Sequence, residues 1–481
     1  MTQPTAPAGL GQRAAVRPGL VLAIVCAGVV LASLDMFIVN VALPLIAADL
    51  GGSLESLSWV LNGYAIVYAA ALVPAGRLAD RSGRKRGFLI GVAVFTVASA
   101  LCAVATSTAA LVGFRVLQAI GAALLTPASL SIVLATFPPE RRGGAVRTWT
   151  AMGGLAAALG PVLGGLLTEL DWRWIFLVNV PVGITAIAVG ARLIPDLPGE
   201  RGRVPDAFGA VLLAVAIGVL VLALVQGNDW GWTSARVLGL FALALVAGAA
   251  FVVRSARHPS PVLELSLLKV RTYTLTLLCT ILFSASFAGM LLSIVLWSQE
   301  VWGWTALQTG LAVVPGPLMV PLFAAVAGPL IARLGPGPVI ALGNAFFAGG
   351  VLLWAAQVSL RPSYADVVAG LLVTGVGVGL TLPTTMATAS VSLPPHRFAT
   401  GAAVINMVRQ VGFAVGVAVI VAILGARAGA SPLTTFRYGW AAVAAVALLG
   451  AVPALMLRRA PSAGPAPASA PARAASGLAG Q

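Results

Sequence analysis

Long apolar segments alternate with short polar segments along the whole chain, and each apolar segment has about the length of a membrane-spanning helix. Such a helix needs about 20 predominantly apolar residues to cross the hydrocarbon core of a bilayer. Fourteen segments meet this requirement. They lie at about residues 18–46, 56–75, 87–106, 109–136, 148–168, 174–194, 207–227, 235–253, 272–298, 306–332, 338–356, 365–391, 400–424 and 437–457. The pattern predicts an all-α membrane protein with fourteen transmembrane helices.

The predicted spans divide into groups of six, two and six. The two groups of six are predicted to form pseudo-symmetric halves, each built from inverted three-helix units around a site at the membrane midplane. The first span is too long for the core of a cleaved signal peptide, so we expect it to be retained. The resulting units are an N-terminal tail (1–17), a first half (18–194), a two-helix insertion with its linkers (195–271), a second half (272–457) and a tail that is predicted to be disordered (458–481).

The composition excludes an ordinary soluble domain. The mean hydropathy is +1.00, and only 9% of the residues are charged, whereas about a quarter are charged in a typical soluble domain. A net charge of +15 suggests nucleic-acid binding at first. The charges lie in short loops between spans, however, where they set the topology and contact anionic lipid. We therefore expect membrane lipid as a partner, and no nucleic acid.

Basic residues concentrate in alternate loops of the predicted topology. Cytoplasmic loops of membrane proteins carry an excess of Lys and Arg. The basic loops face the cytoplasm if the N-terminus is cytoplasmic, and the reverse orientation would invert the bias. Both termini are therefore predicted to lie in the cytoplasm.

Five short patterns recur at defined places on the predicted helices. They are Gly76–Arg86 (G-x3-D-[RK]-x-G-R-[RK]) between helices 2 and 3, Leu34–Pro44 in helix 1, Arg115-x2-Gln118-x2-Gly121 in helix 4, Ala156-x3-Gly160-Pro161-x2-Gly164-Gly165 in helix 5, and Asp171–Phe176 followed by Asn179 and Pro181. In this order the patterns resemble those of the major facilitator superfamily of secondary transporters, in particular its fourteen-span drug:proton antiporter branch. The resemblance covers the whole span region. It implies a functional monomer in the cytoplasmic membrane of a bacterium, exchanging protons for small lipophilic molecules.

Asp35 is the one acidic residue deep within a predicted span. Apolar surroundings oppose ionisation of a carboxyl, so Asp35 is suited to take up and release a proton near neutral pH. Arg115 in helix 4 must face the bundle interior and find acceptors there. The resemblance implies that both residues act in proton transfer. The alternative is structural, with Asp35 paired to a neighbouring helix and Arg115 acting as a polar clamp.

Glu300 is a further candidate for proton coupling. It lies near the outer end of the ninth predicted span, after Trp297, Ser298 and Gln299. It is either a second site for protons or cationic substrates, or an acidic residue of the adjoining loop.

The segment 76–86, predicted to be a loop, is the densest cluster of charge in the chain. Its glycines are expected to permit tight turns, and Asp80 is expected to cap a helix or to pair with an arginine across the interface between the halves. Such a cluster can latch the cytoplasmic side shut, although a basic loop also serves topology alone. The predicted gate comprises Gly76, Asp80, Arg81, Gly83, Arg84 and Lys85.

Helix 5 carries small residues at four-residue spacing, which lets another helix approach closely. A proline in the same stretch removes one backbone hydrogen bond and permits a bend. The residues are Ala156, Gly160, Pro161, Gly164 and Gly165. The resemblance makes this the antiporter pattern, and it implies a part in closing the outer face. Ala156 departs from the family's first glycine, and Phe37 in helix 1 replaces a Thr that is common in the relatives.

Polar and aromatic residues within the spans are candidates for a substrate cavity. Aromatic rings and Met suit flat, apolar, cationic compounds through stacking and cation–π contact. For each residue taken singly, lipid contact or helix packing is the alternative. The candidates are Asn40, Trp59, Asn62, Tyr64, Tyr68, Gln118, Phe283, Phe287, Met290, Trp297, Asn344, Asn406, Arg409 and Gln410.

These patterns predict a proton-coupled antiporter that exports hydrophobic or cationic drugs or antibiotics by alternating access. The sequence shows no phosphate-binding loop, zinc motif or catalytic triad pattern, so we expect no cofactor, no metal and no enzymatic activity. One alternative is an exporter or importer of a specific metabolite or natural product. Another is a non-transporting membrane sensor, which we would expect to lose its buried charges or to gain a soluble signalling domain.

Overall fold

The regular elements of the protein are helices, in the part of the chain that the computed structural model describes: residues 18–196, 199, 204–394, 397–426 and 431–457. The predicted tails, 1–17 and 458–481, lie outside these ranges. The α-helices are α1 (Pro18–Leu50), α2 (Leu54–Ser82), α3 (Arg84–Ala103), α4 (Thr108–Thr136), α5 (Pro139–Thr168), α6 (Trp174–Leu177), α7 (Asn179–Leu193), α8 (Ala207–Trp230), α9 (Ala235–Arg257), α10 (Arg271–Leu296), α11 (Ala306–Val313), α12 (Pro315–Leu334), α13 (Pro336–Gln357), α14 (Tyr364–Val391), α15 (Phe398–Gly425) and α16 (Pro432–Leu455). A 3₁₀ turn (Leu267–Lys269) precedes α10, and a π-helical turn (Trp297–Val301) follows it.

Thirteen helical segments of the described chain are long and apolar enough to cross a membrane. Three of these segments combine two elements each: α6 with α7, α10 with the π turn, and α11 with α12. A further span results if the two pieces of α5, which meet at a bend of 41°, are counted as one. The bend lies just before Pro161, whose missing N–H weakens the preceding turn. The prediction of an all-α protein with many spans is confirmed, with thirteen or fourteen candidates.

The segment 76–86 was predicted to be a loop, and this prediction is wrong. The helix α2 continues to Ser82 and α3 begins at Arg84, so Gly83 alone joins them, with φ +105°. The apolar pattern ends at residue 75 because the helix leaves the apolar layer there, and polar residues carry it further. Gly76 is accordingly helical and forms no turn. A Cβ added at Gly76 would lie 3.2 Å from Cβ of Pro127 in α4, a close helix contact.

Because successive spans run in opposite directions, the junctions between them collect at two ends of the bundle. The described junction residues near 83, 138, 195, 204–206, 258–270, 335 and 392–394 form what we call the basic end. The other junctions form the opposite end. Contacts tie neighbouring junctions together at each end, such as Lys85 with Asp196 at the basic end and Trp302 with Ser359 at the opposite end.

We call α1–α7 the N half and α10–α16 the C half. Within the N half, α1 packs on α5 and α4 packs on both α2 and α3. Within the C half, α13 packs on α14 and α16, and α10 packs on α15. The halves meet where α2 contacts α15 and where α5 contacts α11. The pair α8–α9 lies at the side, with α8 against α2 and α15.

Candidate functional site

The interior of the N half contains a buried carboxylate–guanidinium pair. Asp35 of α1 is 0% exposed and Arg115 of α4 is 1% exposed. The Arg115 Nη1 atom donates to the Asp35 Oδ2 atom. Leaving either charge alone in this apolar surrounding would cost several kcal/mol. Each residue is therefore the counter-ion that permits the other to be buried.

Two amides complete the surroundings of Asp35. The Gln118 Nε2 atom donates to Asp35 Oδ1 at 2.8 Å, and the Asn179 Nδ2 atom donates to the same oxygen at 3.3 Å. Both amides also donate to the Ser99 hydroxyl, at 2.6 Å and 3.3 Å respectively. Hydrogen bonds of this kind favour the charged form of a carboxyl. The cluster thus places three donors, two from α4 and one from α7, around the oxygens of Asp35.

Local structure explains how these side chains meet. Arg115 and Gln118 lie three residues apart on α4, so they share one face of that helix. Ser99 reaches them because α3 and α4 are in close contact at Gly121, where a Cβ would lie 2.5 Å from the Phe95 amide nitrogen. The motifs in the sequence included Gln118 and Asn179. They did not include Ser99, since a serine within an apolar helix carries no distinguishing signal.

A narrow cavity lies between the two halves, beside the pair. Its volume is about 30 Å³, which is room for very few water molecules and far below the roughly 300 Å³ of a small ligand pocket. The walls come from α1, α2, α4, α10 and α15. The residues are Met36, Phe37, Asn40, Leu61, Asn62, Tyr64, Ala65, Arg115, Ala288, Leu291, Phe413 and Val417. In this conformation the cavity is therefore too small to hold a drug-sized ligand.

Arg115 belongs both to the cavity wall and to the buried pair. Its Cζ atom lies 4.2 Å from the centre of the Tyr64 ring, a cation–π distance, and its Nε atom donates to the Val60 carbonyl at 3.3 Å. Asp35 itself is not part of the wall. The guanidinium is thus the group through which the buried carboxylate meets the cavity.

Aromatic rings from both halves form one side of the cavity. Phe37 of α1 lies edge-on to Phe287 of α10 and to Phe413 of α15, with ring centres 6.2 Å and 6.1 Å apart. Phe283 and Phe347 pack behind Phe287. Phe37 therefore shapes the wall and links the halves.

Some of the predicted cavity residues lie on the wall, and others do not. Asn40, Asn62 and Tyr64 are on the wall. Gln118 belongs to the Asp35 cluster instead. The others off the wall are Trp59, Tyr68, Phe283, Phe287, Met290, Trp297, Asn344, Asn406, Arg409 and Gln410.

Trp297 and Asn344 lie away from the cavity altogether. Trp297 packs edge-on against Trp302 and Trp440 near the opposite end, with ring centres 5.9 Å and 5.4 Å apart. Asn344 is buried in α13 and donates to the Ile340 carbonyl of its own helix at 2.8 Å. An aromatic or amide residue in a span has the same sequence pattern whether it fills the core or faces a substrate.

Three polar residues of α15 extend one wall toward the basic end. Asn406, Gln410, Phe413 and Val417 are spaced by four, three and four residues, so they share one helix face. Phe413 and Val417 line the cavity. Asn406 and Gln410 therefore continue its wall, and Arg409 lies one turn from Phe413.

Glu300 lies away from the Asp35 cluster. It lies in the π turn at the opposite end, where it is exposed and makes no hydrogen bond or ion pair with the residues that the structure describes. Its neighbour Gln299 donates to the Val41 carbonyl at 2.9 Å, a contact between the halves. Glu300 thus has no direct contact with the buried pair.

The predicted gate residues are placed differently from the expectation. Asp80 pairs with Arg84 at 3.2 Å within the N half, so its predicted pairing across the halves is wrong. Arg77 makes the long-range contacts instead, because it extends sideways from the last turns of α2. Its guanidinium contacts Glu264 Oε1 at 2.9 Å, Ser260 Oγ at 2.9 Å and the Pro261 carbonyl at 2.6 Å. Arg81 is exposed.

The small residues of α5 lie at two helix contacts. A Cβ added at Gly160 would lie 2.7 Å from Cβ of Phe37 in α1, and one at Gly164 would lie 2.8 Å from the Ile38 carbonyl oxygen. A Cβ at Gly165 would lie 2.6 Å from the Ala306 carbonyl oxygen in α11. Ala156 is buried. The stretch therefore holds α5 against α1 and against the C half near the opposite end.

A sequence model described as "Major Facilitator Superfamily" matches residues 25–417 and 276–479. The chain is 34% identical over 418 residues to the "Tetracenomycin C resistance and export protein" of Streptomyces glaucescens, covering 86% of this chain and 77% of that one. It is 34% identical over 403 residues to "Multidrug resistance protein Stp" of Mycobacterium tuberculosis, covering 83% and 74%. It is also 34% identical over 391 residues to "Multidrug export protein EmrB" of Haemophilus influenzae, covering 80% and 76%.

Solved structures with the same fold include a crystal structure of the peptide transporter POT in complex with sulfate. It superposes with a TM-score of 0.67 over 93% of this chain and 95% of that chain, at 17% identity. This likeness shows the fold alone.

Proposed function

The chain belongs to the major facilitator superfamily, and we propose that it is a proton-coupled antiporter that exports lipophilic drugs or antibiotics. The relatives named for resistance to tetracenomycin C and for multidrug export support the substrate class. The observation that carries the coupling is the double role of Arg115. One guanidinium pairs with the buried Asp35 and also lines the cavity between the halves.

The geometry gives a simple exchange mechanism. While Asp35 is ionised, its carboxylate holds Arg115 back, and a substrate can occupy the cavity. A proton that neutralises Asp35 removes the Coulomb attraction and leaves the Arg115 charge without a partner beside the cavity. The guanidinium then seeks other acceptors in the space that the substrate uses. Proton and substrate therefore exclude each other, and this competition is reciprocal, as antiport requires.

Alternating access follows from contacts that are concentrated near the opposite end. Gly165 of α5 is pressed against α11 there, and Gln299 is bonded to α1. Beyond Val314 the next helix, α12, packs mainly on α14 and α13 and buries only Gly316 and Ala327 among its own residues. The contacts of Gly165 and Gln299 thus hold the halves together near the opposite end.

The orientation and organisation belong to the same proposal. The basic end faces the cytoplasm, because loops there carry most of the Arg and Lys, and both termini then lie inside. The chain comprises fourteen spans in two halves, 18–194 and 272–457, with residues 195–271 as an insertion. It works as a monomer in the cytoplasmic membrane of a bacterium.

Arg77 forms the cytoplasmic latch in this proposal, together with the remaining gate residues. It joins α2 of the N half to the segment 260–264, which leads into the C half through α10. Rocking of one half against the other must lengthen or break this contact. Asp80, Arg84 and Gly83 set the shape of the α2–α3 junction that presents Arg77.

The proposal is tested by proton movement that depends on a drug. Purified protein is placed in liposomes that hold a pH gradient and an internal pH-sensitive dye, and antibiotics from several classes are added in turn. At least one drug is expected to collapse the gradient in vesicles with the protein and not in protein-free vesicles. If no drug moves protons and a single cellular metabolite does, the protein is a carrier of that metabolite and the proposal is wrong.

A further inference from the structure

Asn62 stands on the cavity wall with both polar atoms of its side chain unpartnered. The residue is 0% exposed, and neither its Nδ2 nor its Oδ1 atom makes a hydrogen bond within the described protein. A buried amide without partners is costly, so native structures rarely keep one without a reason. A ligand in the cavity that offers both a donor and an acceptor would satisfy Asn62.

A second incompletely bonded amide, Gln410, lies in the C half on the helix face that continues the wall. Gln410 is 2% exposed, and its Oε1 atom makes no hydrogen bond in the described protein. Its Nε2 atom contacts only the Sδ atom of Met36, at 3.5 Å, and a thioether is a weak acceptor. Gln410 shares the helix face of Phe413 and Val417, which line the cavity. Two incompletely bonded amides thus lie beside the boundary between the halves, Asn62 on the wall and Gln410 on the helix face that continues it.

The charge around the cavity is positive. Arg409 lies one turn from Phe413, its Nε atom is unpartnered, and its one titratable neighbour among the described residues is the phenol of Tyr68. The charge of Arg115 is matched by Asp35, but Arg409 forms no ion pair in the described chain. The oxygens of Asp35 are occupied by donors and do not reach the wall. A cation in the cavity would therefore meet the Arg115 guanidinium on the wall and no accessible carboxylate, with Arg409 one helical turn beyond the wall residue Phe413.

Phe37, Tyr64 and Phe413 make part of the wall aromatic, and Phe287 packs against the two phenylalanines from off the wall. Phe37, Phe287 and Phe413 meet edge to face, and the Tyr64 ring stacks on Tyr68 at 5.9 Å between ring centres. Rings in such arrangements present faces and edges to a flat molecule, which they bind by stacking.

We propose that this cavity is a site for flat, neutral aromatic compounds that carry several hydroxyl and carbonyl oxygens, and that it excludes permanent cations. This inference rests on the proposed function and narrows it. A carbonyl or hydroxyl oxygen accepts from Arg409 or from Asn62 Nδ2, and a hydroxyl donates to Asn62 Oδ1 or to Gln410 Oε1. The rings of the ligand lie among the phenylalanines. The cavity widens to admit such a ligand when the halves move, since its present volume is too small.

The test compares a flat neutral probe with a bulkier permanent cation. One is 1,8-dihydroxyanthraquinone, which is neutral and rich in oxygen, and the other is tetraphenylphosphonium, a permanent cation. Binding to the protein in nanodiscs is measured by quenching of tryptophan fluorescence, and proton movement is measured in liposomes. We expect the anthraquinone to bind at least about tenfold more tightly than the cation. Tighter or equal binding of the cation would overturn the inference.

Variants separate the roles of the polar groups. Arg409→Gln and Asn62→Ala are each expected to weaken anthraquinone binding by about tenfold, since each removes a bond to a buried polar group. Asn62→Asp, which adds a negative charge to the wall, is expected to strengthen binding of tetraphenylphosphonium. The matched controls are Arg236→Gln, exposed in α9, and Asn344→Ala, buried away from the cavity, and both should bind as the wild type does.

Arg409→Lys is a control for misfolding of Arg409→Gln. It keeps the positive charge, so it should retain most of the anthraquinone binding. Unchanged anthraquinone binding in Arg409→Gln and in Asn62→Ala would overturn the inference. The proposed function is judged separately. Cations exchanged for protons through Asp35 would preserve the antiporter and refute the substrate class. Anthraquinone that binds through Arg409 and Asn62 without moving protons would preserve the substrate class and refute the antiporter.

Discussion

Arg115 contacts the Asp35 carboxylate in the N half and also lines the narrow cavity between the halves. A single side chain with two such neighbours can report the protonation of one to the other. Burial strengthens this link, because both charges are removed from water and neither is free to be screened. In this account, the coupling between the proton and the substrate therefore depends on the contact between the Asp35 carboxylate and the Arg115 guanidinium.

Substituting Asn179 tests whether its hydrogen bond stabilises the charged form of Asp35. Asn179→Ala removes one donor from the Asp35 carboxylate, so the proton-loaded form becomes easier to reach. We expect the pH of half-maximal drug-dependent proton exchange to rise by about one unit, the equivalent of about 1.4 kcal/mol. The measurement is the rate of exchange between pH 5 and pH 9. Asn406→Ala, whose amide bonds only the Ala402 carbonyl of its own helix, is the control and should not move the midpoint.

An unchanged midpoint in Asn179→Ala would mean that this amide does not stabilise the carboxylate. A fall in the midpoint would contradict the direction of the effect.

The sequence reveals some site residues and conceals others for identifiable reasons. Asp35 and Arg115 are conspicuous because charged residues within spans are rare and usually functional. Ser99 and Met36 look like any other residue of an apolar helix, and only the packing of α3 on α4 and of α1 on α15 gives them a place. Trp297 was predicted to line the cavity because the sequence pattern of an aromatic residue in a core is the same as that of one in a substrate site.

At the scale of the helices, the apolar pattern finds the spans and misses their ends. It predicted a loop over 76–86, where α2 and α3 are joined by Gly83 alone, and it began the fifth span at residue 148, whereas α5 begins at Pro139. Hydropathy reports the apolar layer of the membrane, and helices continue beyond that layer with polar residues. The extra turns matter here, because they carry Arg77 to its contacts.

Gly165 and Gly154 form a matched pair in α5. A Cβ at Gly165 would press on the backbone of α11, whereas a Cβ at Gly154 would meet nothing within 4 Å. Gly165→Ala is expected to destabilise the protein by about 1–3 kcal/mol through overpacking. Gly154→Ala is expected to be neutral or to stabilise it by up to about 1 kcal/mol, the gain in helix propensity. Thermal unfolding of the two variants in detergent measures the difference.

Equal melting temperatures for the two alanine variants would show that α5 and α11 are not in tight contact at Gly165.

Arg77 and Glu264 test the latch between α2 and the segment that leads into α10. Partly exposed ion pairs contribute about 1 kcal/mol or less to stability. Glu264→Gln removes only the ion pair, whereas Arg77→Ala also removes the bonds to Ser260 and Pro261, so we expect Arg77→Ala to have the larger effect. Arg77→Ala should slow drug-driven proton exchange by roughly threefold to tenfold while binding stays near normal. Arg257→Ala, at an exposed position in the last turn of α9 and outside the predicted gate, is the control.

If the effects of Arg77→Ala and Glu264→Gln simply add in the double variant, the two residues do not act together and the latch is wrong.

At the scale of the whole molecule, the division into two halves was predicted from the grouping of spans and from motifs. The described structure has the architecture of the family, with an interface where α2 meets α15 and α5 meets α11. The sequence did not predict which end of the bundle is closed. That depends on contacts between residues distant in the chain, such as Gln299 with Val41, and no local pattern encodes them.

The charge carried per cycle follows from the substrate class. Exchange of one proton for one neutral molecule moves a net positive charge, so the membrane potential should drive transport, at about 2.3 kcal/mol per charge for 100 mV. We expect movement of 1,8-dihydroxyanthraquinone to follow a potassium diffusion potential in the absence of a pH gradient, and to reverse with its sign. Anthraquinone movement that ignores the potential would contradict exchange of one proton for one neutral molecule.

The most direct test of the account compares Asp35→Asn with Asp49→Asn. Both residues lie in α1, but Asp49 is partly exposed at the opposite end, where it pairs with Arg173 at 3.0 Å. Drug-dependent proton exchange is measured in liposomes, after size-exclusion chromatography has shown that both variants are folded. We expect Asp35→Asn to lose exchange by at least about 100-fold, since it removes one partner of a buried charge pair, and Asp49→Asn to retain it. Exchange at the wild-type rate in Asp35→Asn would contradict the account.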